Sequence, residues 1–171
     1  MNHEFTSIPG AQGYQQSSPP ALAIATLLGS LQIFKKAGMM GPLRERSKML
    51  TGKLESLLHQ SSFYVPPEQV SARTDPGFII ITPTDPESRG AQLSVQFLPQ
   101  GSDVMDKVFI GLREWGVIGA FRKPDVIRFT PVPLYNTEEE VEVAVRCLDI
   151  VMAGLGKECT GSVRISQFLQ D

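Results

Sequence analysis

Two residue types that build many active sites are scarce in this chain. Its 171 residues include only two histidines, His3 and His59, and two cysteines, Cys147 and Cys159. A histidine metal site or a Ser-His-Asp triad would have to draw on one of those two imidazoles. His3 lies in an amino-terminal arm and His59 near the end of a predicted helix, so both are expected at solvated surface positions. Two cysteines are too few for a disulfide framework, and neither has metal-ligating neighbours in sequence. No run of 18 apolar residues occurs, so no membrane span is expected. Met1 to Phe5 has neither the basic nor the apolar region of a signal peptide. Sixteen basic residues against 18 acidic ones give a net charge of −2, without the basic footprint of a nucleic-acid binder. These absences predict a soluble, cytoplasmic protein that binds neither nucleic acid nor membrane.

What is present is globular in kind. Hydrophobic residues make up 42%, charged residues 20% and aromatics 8%. A length of 171 residues suits one domain, large enough to bury a core without covalent staples. Fifteen glycines and 13 prolines predict many turns.

The elements follow from period and punctuation. Residues 1–18 carry no helical period and read as an extended arm, in which Gly10 and Gly13 are too few for a dinucleotide loop. Ser18 with Pro19 predicts a helix start, the serine as cap and the proline in the first turn. Residues 21–36 are apolar on most sides, which places that helix in a core or an interface. Residues 42–60 give an amphipathic helix with Leu43, Leu50, Leu54, Leu57 and Leu58 on one side. Residues 78–82 and 93–97 read as neighbouring strands joined across a turn in which Arg89 is solvated. Asp103 starts a helix that ends at Trp115 and Gly116. Residues 117–118 and 126–130 are two more strands, joined by a tight turn at 122–125. Thr137 and Glu140 form a capping box ahead of a last helix to about Ala153. The tail from Gly154 fits either a short strand or a helix. The order α, α, β, β, α, β, β, α predicts an α+β domain with a mostly antiparallel sheet and helices on one face.

Two features could carry chemistry. Arg128 lies inside the apolar strand Val126–Thr130. A strand arginine is commonly solvated or salt-bridged; alternatively, its planar fork grips a carboxylate from a rigid strand. Ser17 and Ser18 cap a helix, or they face an anion at its amino-terminal end.

Longer stretches resemble kynureninase. They are Ile8-Pro9-Gly10-Ala11-Gln12-Gly13-Tyr14 with Ser17-Ser18-Pro19-Pro20, then Ser30 to Lys35, Leu43 to Glu55, and Arg89-Gly90-Ala91-Gln92-Leu93-Ser94. The most distinctive is Ile127-Arg128-Phe129-Thr130-Pro131-Val132-Pro133-Leu134-Tyr135-Asn136. The resemblance covers about residues 1–152. It implies the carboxy-terminal small domain of a fold-type I pyridoxal phosphate enzyme, preceded by an arm (1–18) from the large domain. Residues 19–171 would be the small domain with its leading helices. The implied activity is hydrolysis of kynurenine or 3-hydroxykynurenine to alanine and an anthranilate, by a homodimer. Arg128 would hold the substrate α-carboxylate, Ser17 and Ser18 would line the substrate site, and Ser18 would also border the cofactor.

Two departures accompany the resemblance. Ser18 stands where the family has asparagine, and a hydroxyl lacks the amide's reach and double donor capacity. None of Lys35, Lys36, Lys48, Lys53, Lys107, Lys123 or Lys157 falls at the position of the family's Schiff-base lysine. Met1 coincides with an internal methionine of the family sequence. The chain is therefore expected to be the end of a longer enzyme, without catalytic residues of its own and inactive alone. The alternative is a non-catalytic dimerising or binding domain of kynureninase descent.

Overall fold

Leu93, Val95 and Phe97 alternate with Ser94 and Gln96, a period that puts one strand face in a core and leaves the other outside it. The computed structural model, which describes residues 8–15, 17–72 and 74–155, has that strand at the centre of its sheet. Strands β1 (Gly77–Ile80), β2 (Leu93–Leu98), β3 (Ala120–Arg122) and β4 (Val126–Phe129) pair antiparallel in the order β1-β2-β4-β3. The α-helices among the described residues are α1 (Ala21–Lys36), α2 (Met40–Gln60), α3 (Val104–Glu114) and α4 (Glu138–Leu155). The predicted element order and α+β class are both observed. The chain divides into two compact units between Gly41 and Pro42.

In the second unit, Phe78, Leu93, Val95, Phe97, Ile127 and Phe129 form the inner face of the sheet. They pack against leucines 50, 54 and 58 of α2, Val108 and Leu112 of α3, and Val145, Leu148 and Met152 of α4. Each fully buried side chain of this size contributes about 1.5–3 kcal/mol. All three helices thus cover one face, as the pattern predicts.

Polar ties fix the helices. Lys53 of α2 meets Glu142 of α4 at 2.7 Å, and the Ser61 hydroxyl donates to Asp149 Oδ1 at 2.5 Å. Gly111 allows α3 to approach α4 closely: a Cβ there would sit 2.7 Å from Val151 Cγ1. α3 ends in a Schellman motif, with Gly116 at φ 77° donating to Arg113 and Val117 donating to Leu112.

Several local expectations shift. Arg89 is not solvated but buried, its fork closed on Glu55. The strand expected at 117–118 forms three residues later, because Val117 is drawn into the end of α3. Ser18 is not the cap of α1; the cap position is Pro20, without a side-chain hydrogen bond. A proline disfavours helical geometry in the residue before it, so Pro20 keeps Pro19 out of the helix. Asp103 occupies the cap position of α3, but its carboxylate pairs with Lys107 at 2.8 Å. The arm is not wholly extended: Ala11–Tyr14 form one 3-10 turn, entered through Gly10 at φ 87°. No residue of α1 is buried; Leu22 is 82% exposed and Ile33 57%. His3, Lys157, Cys159 and the tail beyond residue 155 lie outside the described residues.

Candidate functional site

Arg128 is fixed by the strands on both sides of it. β4 is an interior strand, and within it Ile127 and Phe129 point into the core. The two-residue period then turns Arg128 to the face opposite that core. Ser94 of β2 and Ala120 of β3 are its direct cross-strand partners. The Ser94 backbone faces the other way: its N–H donates to Thr82 Oγ1 at 2.8 Å, and its carbonyl accepts from Ile81 at 3.0 Å. Ser94 and Arg128 are therefore a non-hydrogen-bonded pair, the closer of the two antiparallel arrangements.

The Arg128 side chain is half-buried, and its Nε is enclosed without a hydrogen-bond partner. Among the described residues no carboxylate forms a salt bridge with it. An enclosed, unpaired N–H costs about 1–3 kcal/mol. Of the readings left open by the pattern, a salt-bridged arginine has no partner among the described residues, while a partly solvated one and a carboxylate grip both fit. The arrangement leaves a forked donor on a rigid strand, with capacity for an anion.

The chain after Arg128 is built to be stiff. Asn136 Oδ1 accepts from Val132 N–H at 2.7 Å, and Asn136 N–H donates to the Val132 carbonyl at 2.9 Å. Arg46 of α2 holds the Asn136 carbonyl at 3.0 Å. The predicted capping box is present. Thr137 N–H donates to Glu140 Oε2 at 3.0 Å, and Glu140 N–H donates to Thr137 Oγ1 at 3.2 Å. Hydrogen bonds from the Asn136 amide and then from the Thr137 backbone hold the Glu140 carboxyl below the usual carboxylate range.

Ser17 and Ser18 are exposed residues of the first unit, and the Ser17 carbonyl accepts from Gln15 Nε2 at 2.8 Å. A cleft of roughly 430 Å³ opens beside Trp115, Ile118, Phe129 and Pro131. Arg128 does not line it, since Phe129 and Arg128 face opposite sides of β4. His59 is exposed, its ring edge-on to Tyr64 at 4.6 Å. Cys147 is buried on α4, and burial pushes its thiol up. No group of three metal-ligating side chains occurs among the described residues, nor is any helix there long and apolar enough to cross a membrane.

Pattern reading did not single out Ser94 and Gln92 as site residues. Gln92 Nε2 donates to Ser94 Oγ at 3.3 Å beside Arg128. Only the β2–β4 register brings them to that face; the alternation within residues 92–97 says they share a side but not whose.

Comparison with known proteins gives a consistent result. The profile of the kynureninase C-terminal domain matches residues 43–148. Kynureninase from Yarrowia lipolytica is 45% identical over 152 residues, covering 87% of this chain and 34% of that protein. Kynureninase from Eremothecium gossypii is 44% identical over 162 residues, covering 92% and 36% respectively. That from Coccidioides immitis is 50% identical over 141 residues, covering 82% and 27%. The chain thus spans about a third of the length of these relatives.

Proposed function

Because the chain belongs to the kynureninase family, we propose that it serves the hydrolysis of kynurenine or 3-hydroxykynurenine to alanine and an anthranilate, as the part that holds the substrate carboxylate. The observation carrying this reading is the half-buried Arg128 side chain on the face of the sheet opposite the core, with no carboxylate pairing it among the described residues. A carboxylate placed there would accept two parallel N–H bonds, stronger than neutral ones and selective for a planar anion. Interior placement of β4 and the stiff 131–136 connector limit the guanidinium's wandering, so less orienting entropy is lost on binding. Ser17 and Ser18 keep the substrate-lining role that the resemblance implies for them. The reading carries with it a homodimer in a cytoplasmic setting.

Pyridoxal phosphate belongs to the proposal through the family, but none of Lys48, Lys53, Lys107 and Lys123 in the second unit suits its Schiff base. A Schiff base needs an amine that can shed its proton. Lys48 is held in its charged form by Glu45 and then Glu87, and Lys53 by Glu142, both above the usual lysine range. Lys107 and Lys123 pair with Asp103 and Asp106. The contribution assigned to these residues is binding and orientation of the amino acid end of the substrate.

The test is a chimera. Residues 1–171 replace the corresponding carboxy-terminal part of the Yarrowia lipolytica kynureninase, and kynurenine hydrolysis is assayed. Activity that disappears on Arg128→Ala is expected; an inactive chimera that folds, or one indifferent to Arg128→Ala, refutes the reading.

The exposure along α1 favours a second reading, a dimerising module. Residues 1–171 running as a monomer in light scattering at all concentrations would dismiss it.

A further inference from the structure

We infer that Ser94, oriented by Gln92, is a second donor to the carboxylate held by Arg128; this rests on the reading of Arg128 given above. Every Ser94 group except one has a partner. Its backbone N–H donates to Thr82 Oγ1 and its carbonyl accepts from Ile81. Its Oγ accepts from Gln92 Nε2 at 3.3 Å. A hydroxyl whose oxygen already accepts has its hydrogen left to give. Among the described residues no acceptor takes that hydrogen.

Directly across the ladder stands Arg128, a side chain that can only donate, with its enclosed Nε also unpaired. Two neighbouring donors without an acceptor form an electron-poor patch whose complement has two oxygens and a negative charge. The non-hydrogen-bonded pairing brings the two side chains close together. The other neighbour, Ala120, adds no polar group and little bulk beside the pair. Gln92 sets the direction of the hydroxyl without needing to touch the ligand.

The test follows the Arg128 Nε–H resonance in the full 171-residue chain during titration with L-kynurenine, and in parallel with kynuramine, which lacks the carboxylate. The expected result is a saturable shift with kynurenine alone. Ser94→Ala should raise its dissociation constant about tenfold, the loss of one hydrogen bond to a charged group. Ser94→Thr, which keeps the hydroxyl, should stay within about twofold. Gln92→Leu should weaken binding less than Ser94→Ala and serves as the test if that variant loses its dispersed amide spectrum. Binding unchanged in both Ser94→Ala and Gln92→Leu overturns the role of Ser94 and leaves Arg128 standing. An Arg128 resonance that ignores kynurenine in the unmodified chain overturns both.

Discussion

The guanidinium of Arg89 closes on both carboxylate oxygens of Glu55, at 2.7 and 2.5 Å, and reaches the Pro83 carbonyl at 3.1 Å. The pair joins the loop before β2 to the middle of α2, and its side chains are only 3% and 15% exposed. Breaking such a pair from one side strands a charge, at a cost of about 3–5 kcal/mol. Glu55→Leu should therefore lower unfolding stability in urea by that order. Glu55→Leu combined with Arg89→Met should recover most of the loss; a double variant as unstable as the single one would contradict this account.

Arg128 carries the opposite expectation. Its enclosed Nε is unpaired in the free protein, so the fold gains little from it. Arg128→Met should leave stability unchanged or raise it by about 1 kcal/mol, while abolishing carboxylate binding. A loss of several kcal/mol in chemical denaturation would show that Arg128 is structural.

Gly111 tests the contact between α3 and α4. A methyl group there meets Val151 Cγ1 at 2.7 Å. Gly111→Ala should lose about 1–3 kcal/mol through overpacking, outweighing the better helix propensity of alanine. Adding Val151→Ala should relieve much of that strain, as read from the melting temperature of the double variant.

Glu140 gives a pH dependence. Its folded pKa is depressed, so its contribution is fully present above the ordinary glutamate value and is lost as pH falls through the lower folded value. The stability gap between the unmodified chain and Glu140→Gln should be constant near neutrality. It should close in acid, where both carry an uncharged group. A gap that widens on acidification would reverse the assignment. Thr137→Ala should cost about 1 kcal/mol at neutral pH, the usual worth of an amino-terminal cap.

Features decided within a few residues were legible in the sequence. The Thr137–Glu140 box and the alternation in β2 depend only on near neighbours, and both stand as read. Arg89 was not legible, because its environment comes from Glu55, 34 positions away, and nothing in Arg89-Gly90 signals burial. β3 was misplaced because Val117 suits a strand by composition, whereas the glycine before it commits it to closing α3. Arg128 was visible as an anomaly in an apolar strand, but whether it had a partner depended on which side chains other strands turned toward it. Ser94 and Gln92 needed the register itself.

The strand order has a consequence for the timescale on which the candidate site is disturbed. Local opening of a native sheet starts at its periphery, and interior strands exchange their amide protons only through larger openings. β3, three exposed residues long, is an edge strand, whereas β4 has neighbours on both sides. Fraying of β3 releases one flank of Arg128 and leaves the β2 ladder, with Ser94 opposite, in place. The Arg128 guanidinium therefore rides on a part of the sheet expected to be among the slowest to exchange, while the strand beside it frays sooner.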